Sequence, residues 1–152
     1  MAIGIVLNMF FLSVLYYVIF VMVRQWTGGY HADSYVKCNI TFAGITFFTL
    51  GMTKLSDMSE MYSLTIHGLM LVFALLSVWK YTPVENPNKP LTKEQKKRNH
   101  KVALIAIIIL EALSCGLYVF FPKVSALIAY TLFSIAVLIL ISKNRKGGNE
   151  YE

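Results

Sequence analysis

Residues 2–23, AIGIVLNMFFLSVLYYVIFVMV, contain no Asp, Glu, Lys or Arg. As an α-helix rising about 1.5 Å per residue, such a stretch reaches about 33 Å, enough to cross a hydrocarbon core of roughly 30 Å. A secretory signal would bring a basic start and an apolar run of about 7–15 residues. Neither is present, so the stretch reads as a retained membrane helix. The whole chain agrees with this. It has 152 residues, of which 57% are hydrophobic and 14% charged, whereas a soluble domain of this size carries about a quarter of its residues charged.

Four more apolar segments follow, at 34–52, 64–81, 102–121 and 124–142. The second and third segments of the chain are short for full spans and are expected to use interfacial ends and snorkelling lysines. Between the segments lie a reverse stretch at 54–63, a polar loop at 82–101 with Pro83, Pro87 and Pro90, and a tight turn at Pro122-Lys123; a charged tail, 143–152, closes the chain. The expected fold is therefore all-α, a polytopic membrane bundle of about five transmembrane helices forming a single integral domain over 1–152.

Charge placement orients this bundle. With five spans, Arg24, Lys37, Lys80, the loop cations up to Lys101, and Lys143, Arg145 and Lys146 fall on one side. These are 12 of the 14 basic residues, leaving Lys54 and Lys123 for the other side. Basic residues collect on the cytoplasmic side, which places the 24–37 connection, the long loop and the C-terminus inside and Met1 outside. The net charge of +6 follows from that bias and calls for no nucleic-acid partner.

The chemistry concentrates at Arg24-Gln-Trp-Thr-Gly-Gly-Tyr-His-Ala-Asp-Ser-Tyr-Val-Lys-Cys38. Gly28 and Gly29 allow a helix to break at low cost. A thiol is a weak nucleophile at its free pKa of about 8.5, and a neighbouring imidazole, a helix N-terminus or nearby cations favour the thiolate. His31, the start of the second segment, and Arg24 with Lys37 could supply all three to Cys38. Residues seven apart on one straight helix lie about 10.5 Å apart along its axis. A catalytic pair therefore needs His31 off the helix that carries Cys38. Asp33 suits the N-cap of that helix, which leaves His31 in the glycine-led connection. The spacing alone favours two interfacial side chains flanking an ordinary glycine stop over a catalytic pair.

Other ionisable groups fit less well. His67 falls at the outer end of its helix, away from Cys38, and His100 sits in a basic run where solvation explains it. Glu111 lies about 14 Å into a membrane helix; a structural role as an acid hydrogen-bonded to Ser114 or Thr131 is favoured. Cys38 and Cys115 differ in depth and are not expected to pair. The scattered histidines and acids form no metal set, and no cofactor is called for. Lys96, Lys97 and Arg98 could hold anionic lipid head groups or an acidic peptide, although orientation alone also accounts for them.

Arg24, Gly28-Gly29-Tyr30-His31-Ala32 and Cys38 together resemble the motif of the accessory gene regulator protein B (AgrB) family of bacterial quorum-sensing membrane peptidases. The stretch Tyr81-Thr-Pro-Val-Glu-Asn-Pro-Asn-Lys-Pro-Leu91 resembles that family's inter-helix loop, which usually begins Ala-Pro rather than Thr-Pro. The resemblance covers nearly the whole chain. It implies a cysteine endopeptidase of the bacterial cell membrane, with Cys38 as nucleophile, His31 as general base, and Arg24, Gly28, Gly29 and Asp33 in support. The implied substrate is an AgrD-like propeptide, cut through a thioester and released as a thiolactone or lactone ring. The basic run would then meet the propeptide's acidic tail, and the resemblance leaves room for a homodimer.

One departure from the family is visible. Its members typically begin with an amphipathic segment and a further hydrophobic helix before the one at 2–23, so this sequence reads as a shortened or truncated form. The competing expectation is a non-catalytic polytopic protein, such as a small transporter subunit or interaction partner. Lipid acyl transfer by the same thiolate is a third.

Overall fold

The computed structural model describes residues 2–28, 35–58, 64–84 and 91–148. Among them lie six helices: α1 (Ala2–Val6), α2 (Phe10–Thr27), α3 (Tyr35–Met58), α4 (Leu64–Tyr81), α5 (Lys93–Leu117) and α6 (Pro122–Gly148). No strand occurs among the described residues, so the all-α expectation holds. By length and composition four of them are suited to cross a membrane: α2, α4, α5 and α6 as far as Asn144. The chain is thus multi-pass in character.

The element that departs from a plain apolar span is α3. It carries Thr41, Thr46, Thr49, Thr53 and Ser56. Thr41, Thr46, Thr53 and Ser56 donate to the carbonyls of Lys37, Phe42, Thr49 and Met52 at 2.8 Å each, so the hydroxyls are satisfied within the helix itself. Other contacts tie α3 sideways. Thr49 Oγ1 lies 3.1 Å from Ser134 Oγ of α6, and Ser56 Oγ lies 2.8 Å from the Tyr130 hydroxyl. Where lipid and side chain are equally apolar, such polar links and close packing hold helices together.

Several boundaries differ from expectation. The apolar run 2–23 is not one helix. It breaks at Leu7–Met9, where Asn8 has φ 56°, a conformation that Asn tolerates better than most residues. Helix α2 then continues through Arg24 to Thr27. Helix α3 passes Lys54 and ends at Met58. The basic stretch expected in the 82–101 loop is instead the first two turns of α5, started by a capping box in which Thr92 Oγ1 accepts from Gln95 N and the Gln95 side chain accepts from Thr92 N. Pro122 opens α6, as suits a residue with a fixed φ and no N–H to leave unpaired, and that helix runs on into the charged tail.

Helix α6 is the axis of the bundle, with 72% of its apolar window buried against a third or less for the other spans. Leu127, Ile128, Leu132, Ile135 and Ile139 of α6 meet Ile19 and Val23 of α2, Leu50 of α3, Leu71 and Val78 of α4, and Ile107 of α5. The outer faces of α4 and α5, including Leu69, Val72, Leu76, Ile105 and Ile109, remain exposed as a lipid-facing surface should.

The α2–α3 interface sets the site. Phe42 of α3 packs its ring 5.4 Å from Phe20 and 6.3 Å from Tyr17 of α2. One turn further, Thr46 Oγ1 lies 3.4 Å from the Tyr16 hydroxyl. The pairs 16 with 46 and 20 with 42 form an antiparallel ladder, and its next rung joins Arg24 to Cys38.

Candidate thiol site

Cys38 is the fourth residue of α3, half-buried and free, so it occupies the first helical turn as the spacing predicted. The Arg24 guanidinium stacks 5.4 Å from the Phe20 ring centre. Cys38 and Arg24 together face a cavity of about 570 Å³ whose lining includes Tyr17, Phe20, Gly28, Asn39 and Phe42.

The rim of the cavity is Gly28. It has φ 69° and ψ −156°, a region of backbone space open essentially to glycine alone. The reason is a close approach. Val84 follows α4 in the chain, and its carbonyl oxygen occupies the place a Gly28 Cβ would need. Val84 N donates to Thr27 O at 2.9 Å, and Gly28 pairs with Val84 as an isolated parallel bridge. The two stretches that carry the family resemblance therefore meet in space. Gly29, His31 and Asp33 lie outside the described residues, so the base and the cap remain expectations; the chain that carries them leaves α2 at Gly28.

The other titratable groups sort themselves by depth. At the far end of the bundle, His67 is buried, with Nε2 3.3 Å from Ser114 Oγ and its ring centre 5.0 Å from that of Tyr118. Ser114 donates to Ser125 O at 3.0 Å and Ser125 donates to Ser114 O at 2.7 Å, joining α5 to α6. That use of Ser114, together with donation by Thr131 to Leu127 O, corrects the expectation for Glu111. Its Oε1 is buried without a hydrogen-bond partner. A carboxyl in this setting costs stability. Glu111→Leu is expected to stabilise the bundle by about 1 kcal/mol, read as a higher melting midpoint in detergent.

His100 is also corrected. It is half-buried, and Nδ1 lies 2.8 Å from the Thr82 carbonyl oxygen. Since a carbonyl can only accept, Nδ1 carries the proton and donates it. Lys93, Lys97, Arg98 and Lys101 are exposed and Lys96 is partly so. With helical spacing, 93, 97 and 101 fall in one line, away from buried Ala103 and Ile107. The Lys143 ammonium sits 4.0 Å from the centre of the Tyr81 ring. One end of the bundle thus gathers Arg24, Cys38, Lys80, the α5 cations and Lys143. Lys54 and Lys123 share a separate cavity beside the helix break at Leu7–Met9.

The sequence profile of accessory gene regulator B matches residues 1–143. The chain belongs to the AgrB family. Among its curated relatives are AgrB-like protein 1 of Clostridium perfringens strain 13, 27% identical over 82% of this chain, and AgrB-like protein 2 of the same strain, 25% identical over 91%. A third, from strain SM101, is 26% identical over 80% of this chain. Their names record a likeness to AgrB and no more. The chain spans 55–64% of the length of these relatives. No solved structure matches it. In this AgrB-family chain, the residues that motif reasoning missed are Thr82, Val84 and His100. The Thr-Pro-Val stretch was visible as a loop resemblance, but nothing in the sequence said that it would close on Gly28.

Proposed function

We propose that the chain is a membrane-embedded cysteine endopeptidase that matures a quorum-sensing propeptide of the AgrD type, working as one integral unit. The observation that supports this most strongly is a half-buried thiol in the first turn of α3, next to an arginine and facing a cavity of about 570 Å³. The glycine at its rim leads directly into the connection that bears His31.

The chemistry follows from these groups. The His31 imidazole takes the Cys38 proton, and the thiolate attacks the scissile carbonyl of the propeptide. The tetrahedral intermediate collapses with loss of the C–N bond. The leaving amine takes the proton back from the imidazolium, and the acyl group stays on sulfur as a thioester. A Cys or Ser side chain within the acyl fragment gives its proton to the His31 imidazole and attacks that carbonyl, and Cys38 departs as thiolate and recovers the proton from the imidazolium. The product is a thiolactone or lactone ring. The bias of basic residues toward this end of the bundle supports a cytoplasmic site.

The test is co-expression with a small amphipathic propeptide of the AgrD type, with products read by mass spectrometry. Loss of the cleaved peptide in both Cys38→Ser and His31→Ala supports the reading. Cleavage that survives in both overturns it, and acylated lipid in place of cut peptide would instead identify an acyl transferase.

The exposed α5 cations suit the acidic tail of such a substrate. Changing Lys96, Lys97 and Arg98 together to Gln is expected to raise KM about tenfold at low salt and less at high salt, since exposed charges are screened within about 10 Å at 0.1 M. A salt-independent KM in the wild type would remove the contact.

A further inference from the structure

We propose that His100 is a positioning residue for the thiol site, acting through Thr82 and Val84 on Gly28. The inference rests on the peptidase reading for its meaning, and on four hydrogen bonds and one close approach for its geometry. His100 Nδ1 donates to Thr82 O at 2.8 Å. Thr82 Oγ1 donates to Val78 O at 2.7 Å, and Thr82 N donates to the same carbonyl at 3.2 Å, so both Thr82 donors fasten to the end of α4. Two residues on, Val84 N donates to Thr27 O at 2.9 Å. The Val84 carbonyl then closes on Gly28, which lines the Cys38 cavity.

The physical point is where the chain leaves α2. Gly28 holds a glycine-only conformation, and the oxygen pressed against it belongs to a segment clamped by His100. That bridge fixes the direction in which the chain leaves α2 at Gly28. The neighbours of His100 on α5, such as Lys97 and Lys101, are exposed and flexible; the imidazole is short, planar and half-buried, which is what a fixed clamp requires. A leucine at 100 would leave the Thr82 carbonyl without its donor. An asparagine can present an N–H in nearly the same place.

The experiment uses the full chain in liposomes with synthetic propeptide, in a Cys115→Ser background so that one thiol remains. His100→Leu is expected to lower kcat by about ten- to a hundredfold, the scale set by small misplacements of reacting groups. KM should stay within about twofold, and His100→Asn should return kcat to within about threefold of wild type. Val84→Pro removes the N–H at the bridge while leaving His100 in place, and should reproduce the leucine phenotype. Independently of peptide cleavage, the rate of Cys38 alkylation by iodoacetamide should change at least about threefold in His100→Leu and recover in His100→Asn. Equal loss in the Leu and Asn variants, or wild-type kcat and alkylation in His100→Leu, overturns the proposal. If Cys38→Ser still cleaves, the peptidase reading falls, and the alkylation comparison alone decides the clamp.

Discussion

Cys38→Ser is expected to lower propeptide cleavage at least about 10³-fold, while Cys115→Ser leaves it unchanged. A serine hydroxyl is far harder to deprotonate than a thiol, and neither Arg24 nor the start of α3 can offset that difference. Cys115 has the same chemistry but the wrong place, exposed on α5. Removing the base is expected to cost less. His31→Ala should fall by about 10²- to 10⁴-fold, because a few per cent of thiolate persists near neutral pH without any base. Purified protein in liposomes, synthetic propeptide and chromatography of the products give these ratios directly. Equal activity in wild type and Cys38→Ser would remove the nucleophile.

The second large effect belongs to a residue with no functional group. Gly28→Val is expected to destabilise the bundle by about 1–3 kcal/mol, the usual cost of a side chain held in a glycine-only conformation. It should also reduce cleavage by about 10²-fold, because the Val84 carbonyl must move and the wall of the cavity moves with it. Gly44→Ala is the control. A Cβ there meets nothing within 4 Å, and alanine is the better helix former, so stability should hold or rise slightly and cleavage should not change. Thermal melting in detergent and cleavage at matched protein amounts separate the two effects. A Gly28→Val protein that melts and cleaves like wild type would show that the bridge to Val84 carries no weight.

Long uncharged runs made the helical bundle legible, because a backbone in lipid must satisfy its own hydrogen bonds and an α-helix does so within itself. The boundaries were harder. Ending the second span at Met52, because Lys54 follows, hid six more residues of α3. Reading the cations after Lys93 as loop hid two turns of α5, although Thr92 and Gln95 stand at capping-box spacing and announced a helix start. Charge was taken as a sign of irregular chain when it signalled a solvated helix. At the site, Cys38 and its neighbours were legible because their chemistry and spacing are local. Val84 and His100 were not, since contacts between loop and helix residues 56 and 18 positions apart leave no period to detect. Glu111 was misjudged for a related reason: Ser114 stood at the right helical offset, but its hydroxyl was already taken by groups on α4 and α6.

The ladder between α2 and α3 also limits how the chain can change in length. Deleting one residue between Cys38 and Phe42 would swing the sulfur about 100° around its helix and move it about 1.5 Å along the axis, away from Arg24. The segments 16–24 and 38–46 are therefore tied in length, and neither tolerates an insertion or deletion by itself. Variation in chain length is confined to places beyond these rungs.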